Sequence, residues 1–254
     1  MIFIWGKKYT FKNLGYAADF CPICRGPQAF RLRRKSLVPH IYYIPSGTAV
    51  FVSNERRCLH CEVDFNGDPS RYATLARKPG TFAELQPQTF PAFETAEKGR
   101  LELEATIRKN PAALPAGDRL ALIRQPLHLL APKVENYLAK TQLDRDIGFT
   151  LVAIVAVVWL GIVIAARLAP DDADTIAFTL MGLGVLALVV QFALTGRRYL
   201  RREIAPMLAR CLAPLEPTRQ ELDTAVSELR QKKLKIGQKL DVGDLMRRVE
   251  TARA

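Results

Sequence analysis

Four cysteines fall in two C-x-x-C pairs, Cys21/Cys24 and Cys58/Cys61, with 33 residues between the pairs. A tight turn under each pair points two thiolates at one ion, so together they supply the four soft donors that tetrahedral zinc binds at ~2.3 Å. The gap is longer than the commonest linker, and a hairpin arm absorbs the excess. A closed structural site is the favoured reading. The alternatives are a thioredoxin-like dithiol, which needs no second pair and sits in a βαβ context not seen here, and a catalytic zinc with an open position. His60, inside the second pair, reads as a solvent-facing loop residue, and His40 as a hairpin residue.

No Ser-His-Asp order, HExxH, P-loop or Gly-rich phosphate loop occurs, and His128 lies in a Leu-rich segment without an obvious partner. No catalytic residue and no small-molecule substrate is therefore assigned, and the chain is expected to be non-enzymatic. The other residues with chemistry are cations. Arg31, Arg33, Arg34 and Lys35 lie between the cysteine pairs, Arg56 and Arg57 beside the second pair, and Arg230, Lys232, Lys233 and Lys235 near the end. Arg197, Arg198, Arg201 and Arg202 follow an apolar run. With Tyr42 and Tyr43, the first cluster has the charge and the stacking groups to contact nucleic acid. Alternation also makes Arg31 and Arg33 the wet face of a strand, and the second Arg cluster suits anionic lipid headgroups.

The elements that must position the cysteines read as strands. The run Ile2-Phe3-Ile4-Trp5 predicts a short strand ended by Gly6. Phe30 and Leu32 alternate with Arg31 and Arg33, and Ile41-Tyr42-Tyr43-Ile44 runs through the turn Pro45-Ser46-Gly47 into Ala49-Val50-Phe51-Val52. Residues 1–75 are thus expected to form one small β unit, with metal binding supplying much of its folding free energy, ~10 kcal/mol or more for structural zinc. The segments FIWG, CPIC and HIYYIPSG before CLHC resemble the zinc-ribbon family, over about the first 65 residues. The resemblance implies a zinc ribbon with Cys21, Cys24, Cys58 and Cys61 as ligands, and it lends no activity. Arg25 stands before Gly26, and Glu62 follows Cys61 where the family carries glycine.

After the ribbon, Pro79, Gly80, Pro87 and Pro91 predict a helix-free linker over 76–96, with Phe82, Phe90 and Phe93 lying against a neighbouring surface. Residues 97–146 read as a helical segment. A short helix ends before Pro111, a second begins at Asp118 and is kinked or stopped at Pro126, and after Pro132 nothing breaks a helix before Ala169. Residues 196–254 form a helical tail. The second apolar helix continues to Pro206, a capping box at Thr218 and Glu221 opens a helix with Leu222, Val226 and Leu229 on one face, Gly237 closes it, and Asp241 or Asp244 starts the last helix. The Leu-rich stretches before Pro132 and Pro214 predict two packed short helices, with Cys211 as a small core residue.

Between these segments lie 20 residues without a charge, Ile147 to Ala166, and 22 more from Thr175 to Gly196. Each is long enough to cross ~30 Å of hydrocarbon at ~1.5 Å per residue. Residues 147–195 are therefore expected to be a transmembrane hairpin, with spans at about 147–168 and 175–195. A buried helical pair of a soluble protein is the alternative. Gly161 with Ala165, and Gly182 with Gly184, would let the helices approach, and the amide of Gln191 calls for a helix partner. Net charge is +8 before residue 147, −2 over 147–195 and +6 after it. Lys140, Arg145 and the four arginines flank the spans, and Asp171, Asp172 and Asp174 lie between them. By the positive-inside rule both termini are cytoplasmic, at the inner membrane. Residues 1–5 are too short for a signal h-region and are expected to stay attached.

The fold class expected is a multi-part membrane protein: a small β zinc ribbon, α-helical segments and a two-helix transmembrane hairpin. The function expected is a scaffold or interaction module at the cytoplasmic face, binding zinc, the bilayer, and a protein partner or another copy. A membrane-tethered nucleic-acid binder is the alternative, and a thiol redox enzyme the third class.

Overall fold

The computed structural model describes residues 5–41, 44–139, 145–168 and 173–253. Its first part is an antiparallel sheet of β1 (Trp5–Cys21), β2 (Gly26–Ile41), β3 (Ile44–Pro45), β4 (Val50–Cys58) and β5 (Asp64–Asn66). The order is β1-β2-β4-β5, with β3 pairing the far end of β2. Phe30 and Leu32 face the core while Arg31 is exposed, as the alternation requires. The first strand does not stop at Gly6. That residue pairs with His40, and a side chain on it would lie 3.2 Å from the imidazole Nε2, so glycine lets the histidine cross the strand. Residues 1–4, Tyr42 and Tyr43 lie outside the described residues. The β1–β2 register slips between Asn13 and Gly15, where Leu75 and Ala76 pass too close for any Cβ and Tyr16 exchanges backbone hydrogen bonds of 2.8 and 2.9 Å with Ala76.

The stretch expected to be a helix-free linker folds. Thr81 and Glu84 form a capping box for α1 (Phe82–Thr89), and α2 (Phe93–Ala96) follows. Pro87 is tolerated inside α1 because it and Ala83, whose carbonyl it leaves unbonded, are both on the exposed side. Thr89 accepts a hydrogen bond from the Ala18 N–H at 3.0 Å and seats α1 on the sheet. The aromatics do lie against a surface: Tyr72, Phe90, Phe93 and Phe82 meet edge-to-face in sequence, with Phe90 and Phe93 buried.

The helices α3 (Lys98–Lys109), α4 (Ala116–Ala139), α7 (Ala205–Leu212), α8 (Arg219–Gln231), α9 (Lys235–Lys239) and α10 (Val242–Arg253) complete a body with one continuous core, running from Phe20 and Cys21 to Leu245 and Val249. Pro126, where a kink or a stop is expected, and Pro132 both lie inside α4, which continues past Pro126 because Ile123, Leu127, Leu130 and Val134 bury one side of the helix in that core. Gly237 closes no helix. Lys233 takes the left-handed position after α8, with Leu234 N–H bonding to Leu229 C=O at 3.0 Å, and Gly237 lets α9 rest on the Leu229–Arg230 backbone. Asp241 caps α10 by accepting from the Gly243 and Asp244 amides.

Two apolar helices extend from this body, α5 (Arg145–Leu168) and α6 (Ala173–Tyr199). Residues 140–144 and 169–172, which include the junction with α4 and most of the acidic loop, are outside the described residues. α5 and α6 pack together: a Cβ on Gly161 would collide with Leu180, and one on Gly184 would lie 2.6 Å from Ile154, whereas Gly182 faces no atom within 4 Å. Among the described residues, one helical run, Thr175–Leu215, is long and apolar enough to cross a membrane. It passes Pro206 without stopping. A widened turn over Leu200–Ile204, in which the Ala205 N–H bonds to the Leu200 carbonyl, absorbs the missing donor.

Candidate metal centre

Cys21 ends β1 and Cys58 ends β4, while Cys24 and Cys61 sit on the two turns that follow, so the sheet brings both turns to one end. All four Sγ atoms lie within 4.8 Å of one another. Cys21 and Cys61 are 3.6 Å apart, Cys24 and Cys58 3.9 Å. A tetrahedral ion with ~2.3 Å bonds to sulfur demands edges of ~3.8 Å. The four cysteines could therefore hold a metal ion, and their spacing is compatible with zinc. His60 is exposed and takes no part in the four-donor group.

Bonding to Cys24, Cys58 and Cys61, together with burial, pushes the Cys21 thiol up. Cys24 is pulled down by Cys21 but pushed up by Cys58, Cys61 and burial, and ends above the ordinary thiol value. Bonds from Cys21 and Cys24 pull Cys58 and Cys61 below it. Two sulfurs keep protons that a divalent cation would replace, so loading releases protons.

At the positions where the ribbon resemblance expects glycine, Arg25 (φ 54°) and Glu62 (φ 56°) adopt the left-handed conformation themselves. Each such residue costs ~1–2 kcal/mol. Each is also anchored. The Arg25 guanidinium is buried against Glu104 at 2.9 Å and its carbonyl accepts from Arg108 at 3.3 Å, while Glu62 pairs with Arg57 at 2.7 Å. The first knuckle turn is thereby tied to α3 and the second to β4. On the α7 side, Cys211 donates its S–H to the Pro22 carbonyl at 3.7 Å, and burial pushes that thiol up to about 12.

Sequence reading missed Asp19. It is fully buried two residues before Cys21, accepting from the Tyr72 hydroxyl at 2.6 Å and from Arg56, with Arg71 at 3.6 Å. Burial and the Asp19 charge push the Tyr72 hydroxyl above its ordinary value and keep it a donor. The available signal was one carboxylate in the otherwise apolar run Tyr16-Ala17-Ala18-Asp19-Phe20.

The cation clusters lie elsewhere. Arg31 and Arg34 are exposed on the β2 arm, Arg34 stacking over Phe51 at 4.8 Å. Arg33 and Lys35 both reach Glu55 at 3.0 Å, which neutralises part of that face. Arg197, Arg201 and Arg202 are exposed at the end of α6 and in the turn after it. Arg198 folds back along α6, donating to the Gln191 side chain and, at 3.1 Å, to its carbonyl, so the intrahelical amide finds its partner on its own helix. Compared with protein-family models, curated proteins and solved structures, the chain matches none.

Proposed function

We propose that the chain is a non-enzymatic inner-membrane protein in which α5 and α6 cross the bilayer as a hairpin. Its zinc-ribbon-like knuckles and helical body then form a cytoplasmic platform for a protein partner or a second copy. One observation carries this reading. Long apolar side chains on both helices point outward, including Phe149, Trp159, Phe178 and Val185, each more than half exposed, while the adjoining helices α3, α4 and α7 to α10 expose no large apolar side chain among the described residues. Such a continuous apolar surface exceeds what a soluble protein leaves in water. Within α5 the uncharged run Ile147–Ala166 has 20 residues and rises ~30 Å at ~1.5 Å each, about the thickness of hydrocarbon. The basic outer ends and the acidic loop support cytoplasmic termini.

Single cysteines at Asp172 and at the exposed Ser227, in a background without Cys211, test the topology with a membrane-impermeant maleimide on intact cells. Residue 172 is expected to label and residue 227 not to. Labelling at 227 in sealed cells removes the platform from the cytoplasm and ends this reading. The exposed Arg31 and Arg34, with stacked aromatics beside them, support a second reading, a tethered nucleic-acid binder. Its requirement is a salt-dependent DNA or RNA shift by the full chain that charge reversal at Arg31 and Arg34 abolishes. A thiol redox enzyme requires a titratable dithiol in metal-loaded protein, which the four-way convergence of sulfurs argues against.

A further inference from the structure

Where α6 leaves its apolar stretch, a cavity of about 560 Å³ opens between the end of that helix and the α9–α10 corner. This volume is within the range of small-molecule sites, roughly 300–1,000 Å³. Arg197, Arg198, Arg201 and Lys239 all line it. Two carboxylates, Asp241 and Asp244, line it as well, but both have other duties. Asp241 accepts the backbone amides that start α10, and Asp244 is bonded to Arg248 at 2.9 Å, with Arg247 at 3.5 Å and Arg201 at 3.8 Å. Among the described residues, no carboxylate lies within ion-pair distance of Arg197 or Lys239. The Lys239 side chain lies across Gly196, where the missing side chain leaves room for it: a Cβ there would come within 2.9 Å of its Nζ.

The position of the cavity says which anion it suits. Leu194 lines its upper edge and is continuous with the outward apolar face of α6, so the wall changes from hydrocarbon-like to cationic within about one helical turn. An amphiphile with an acyl part beside Leu194 and a phosphate among the cations matches both halves. Guanidinium groups offer paired N–H donors to phosphate oxygens, and lysine adds a point charge. We propose that this cavity binds the phosphate of an anionic glycerophospholipid, one molecule per chain. The proposal rests on the reading that α6 spans the bilayer.

The test uses the full chain in neutral detergent and a short-chain fluorescent phosphatidylglycerol, with phosphatidylcholine as the zwitterionic reference. Saturable binding of one phosphatidylglycerol per chain is expected, weakened at least tenfold in R197Q/K239Q. R219Q/R253Q, which removes the same charge at exposed positions outside the cavity, is expected to bind like the parent, and K239R, with Arg197 intact, to keep most of the affinity. Equal weakening by the two double variants would reduce the effect to surface charge and overturn the site. Full displacement by millimolar inorganic phosphate would make it a free-phosphate site and overturn the lipid assignment. Unchanged metal content and melting show that the variants fold. Failure of the underlying reading is a separate result: chain recovered in detergent-free supernatant denies the span, whereas membrane-embedded chain without phosphatidylglycerol preference denies the cavity alone.

Discussion

The knuckle end of the sheet and the α5–α6 pair are held together by opposite means. At the knuckles, directional contacts between buried polar groups close the structure: four converging sulfurs, Asp19 with Arg56 and Tyr72, Arg25 with Glu104. In the α5–α6 pair the contacts are steric, Gly161 under Leu180 and Gly184 under Ile154, and the apolar side chains face outward. The first arrangement depends on ions and protons, the second on the medium around it. Perturbations that reach one should therefore leave the other standing.

Metal removal should give the largest separation. Structural zinc supplies on the order of 10 kcal/mol to small folds, and here the cysteines belong to the core of the whole body. Cys21→Ser or Cys58→Ser is expected to lose the single zinc and to unfold the body as followed by circular dichroism, while carbonate extraction still finds the chain in the membrane. Full zinc content in the double variant would disprove the ligand assignment. Next in size is Asp19→Ala, expected to cost roughly 3–5 kcal/mol in a denaturant titration at fixed zinc, because it strands the buried Arg56 charge. A loss under 1 kcal/mol would mean that the buried ion pair does not organise this end. Gly184→Leu probes the other region. Overpacking against Ile154 should cost about 1–3 kcal/mol, seen as faster amide exchange of α5 and α6 in nanodiscs, with zinc content and body melting unchanged.

These two regions also differ in how far they can be read from residues alone. The cysteine spacing, the Phe30/Leu32 alternation, the Thr218–Glu221 box and the Leu222-Val226-Leu229 face are local patterns, and the structure carries each of them. The same holds for Gly161 and Gly184 as helix contacts. Proline was over-read. Pro87 and Pro206 both lie within helical runs, since an exposed carbonyl and a widened turn respectively make the lost donor tolerable. Asp19 was invisible for the opposite reason: its partners Arg56 and Tyr72 are 37 and 53 residues away, one on β4 and the other in the segment after β5, and only the tertiary fold brings them to it. Contacts between the knuckle end and helices far along the chain were equally hidden: Phe20 and Cys21 share a hydrophobic core with them, and Arg25 pairs with Glu104.

The smallest expected effect tests whether directional contacts matter away from the knuckles, at the start of α8. Glu221 is partly buried, which pushes its carboxyl up, but Arg119 at 2.7 Å and the Thr218 amide and hydroxyl pull it below the ordinary 4.5. A lowered folded value means that the unfolded chain binds the proton more readily. The stabilisation is thus complete above the ordinary carboxylate value and is lost as pH falls through the lowered folded value. Glu221→Gln keeps the shape but removes the charge that Arg119 faces across the α4–α8 contact. It should cost roughly 1 kcal/mol near neutral pH, the size of a cap or a modest ion pair. The cost should shrink as pH falls below 4.5, where the parent loses the same interaction. Melting curves of parent and variant in detergent, recorded at pH 7 and again in acid, give the comparison directly. Curves separated by the same amount at both pH values would mean that Glu221 acts through shape and neutral hydrogen bonding rather than through its charge.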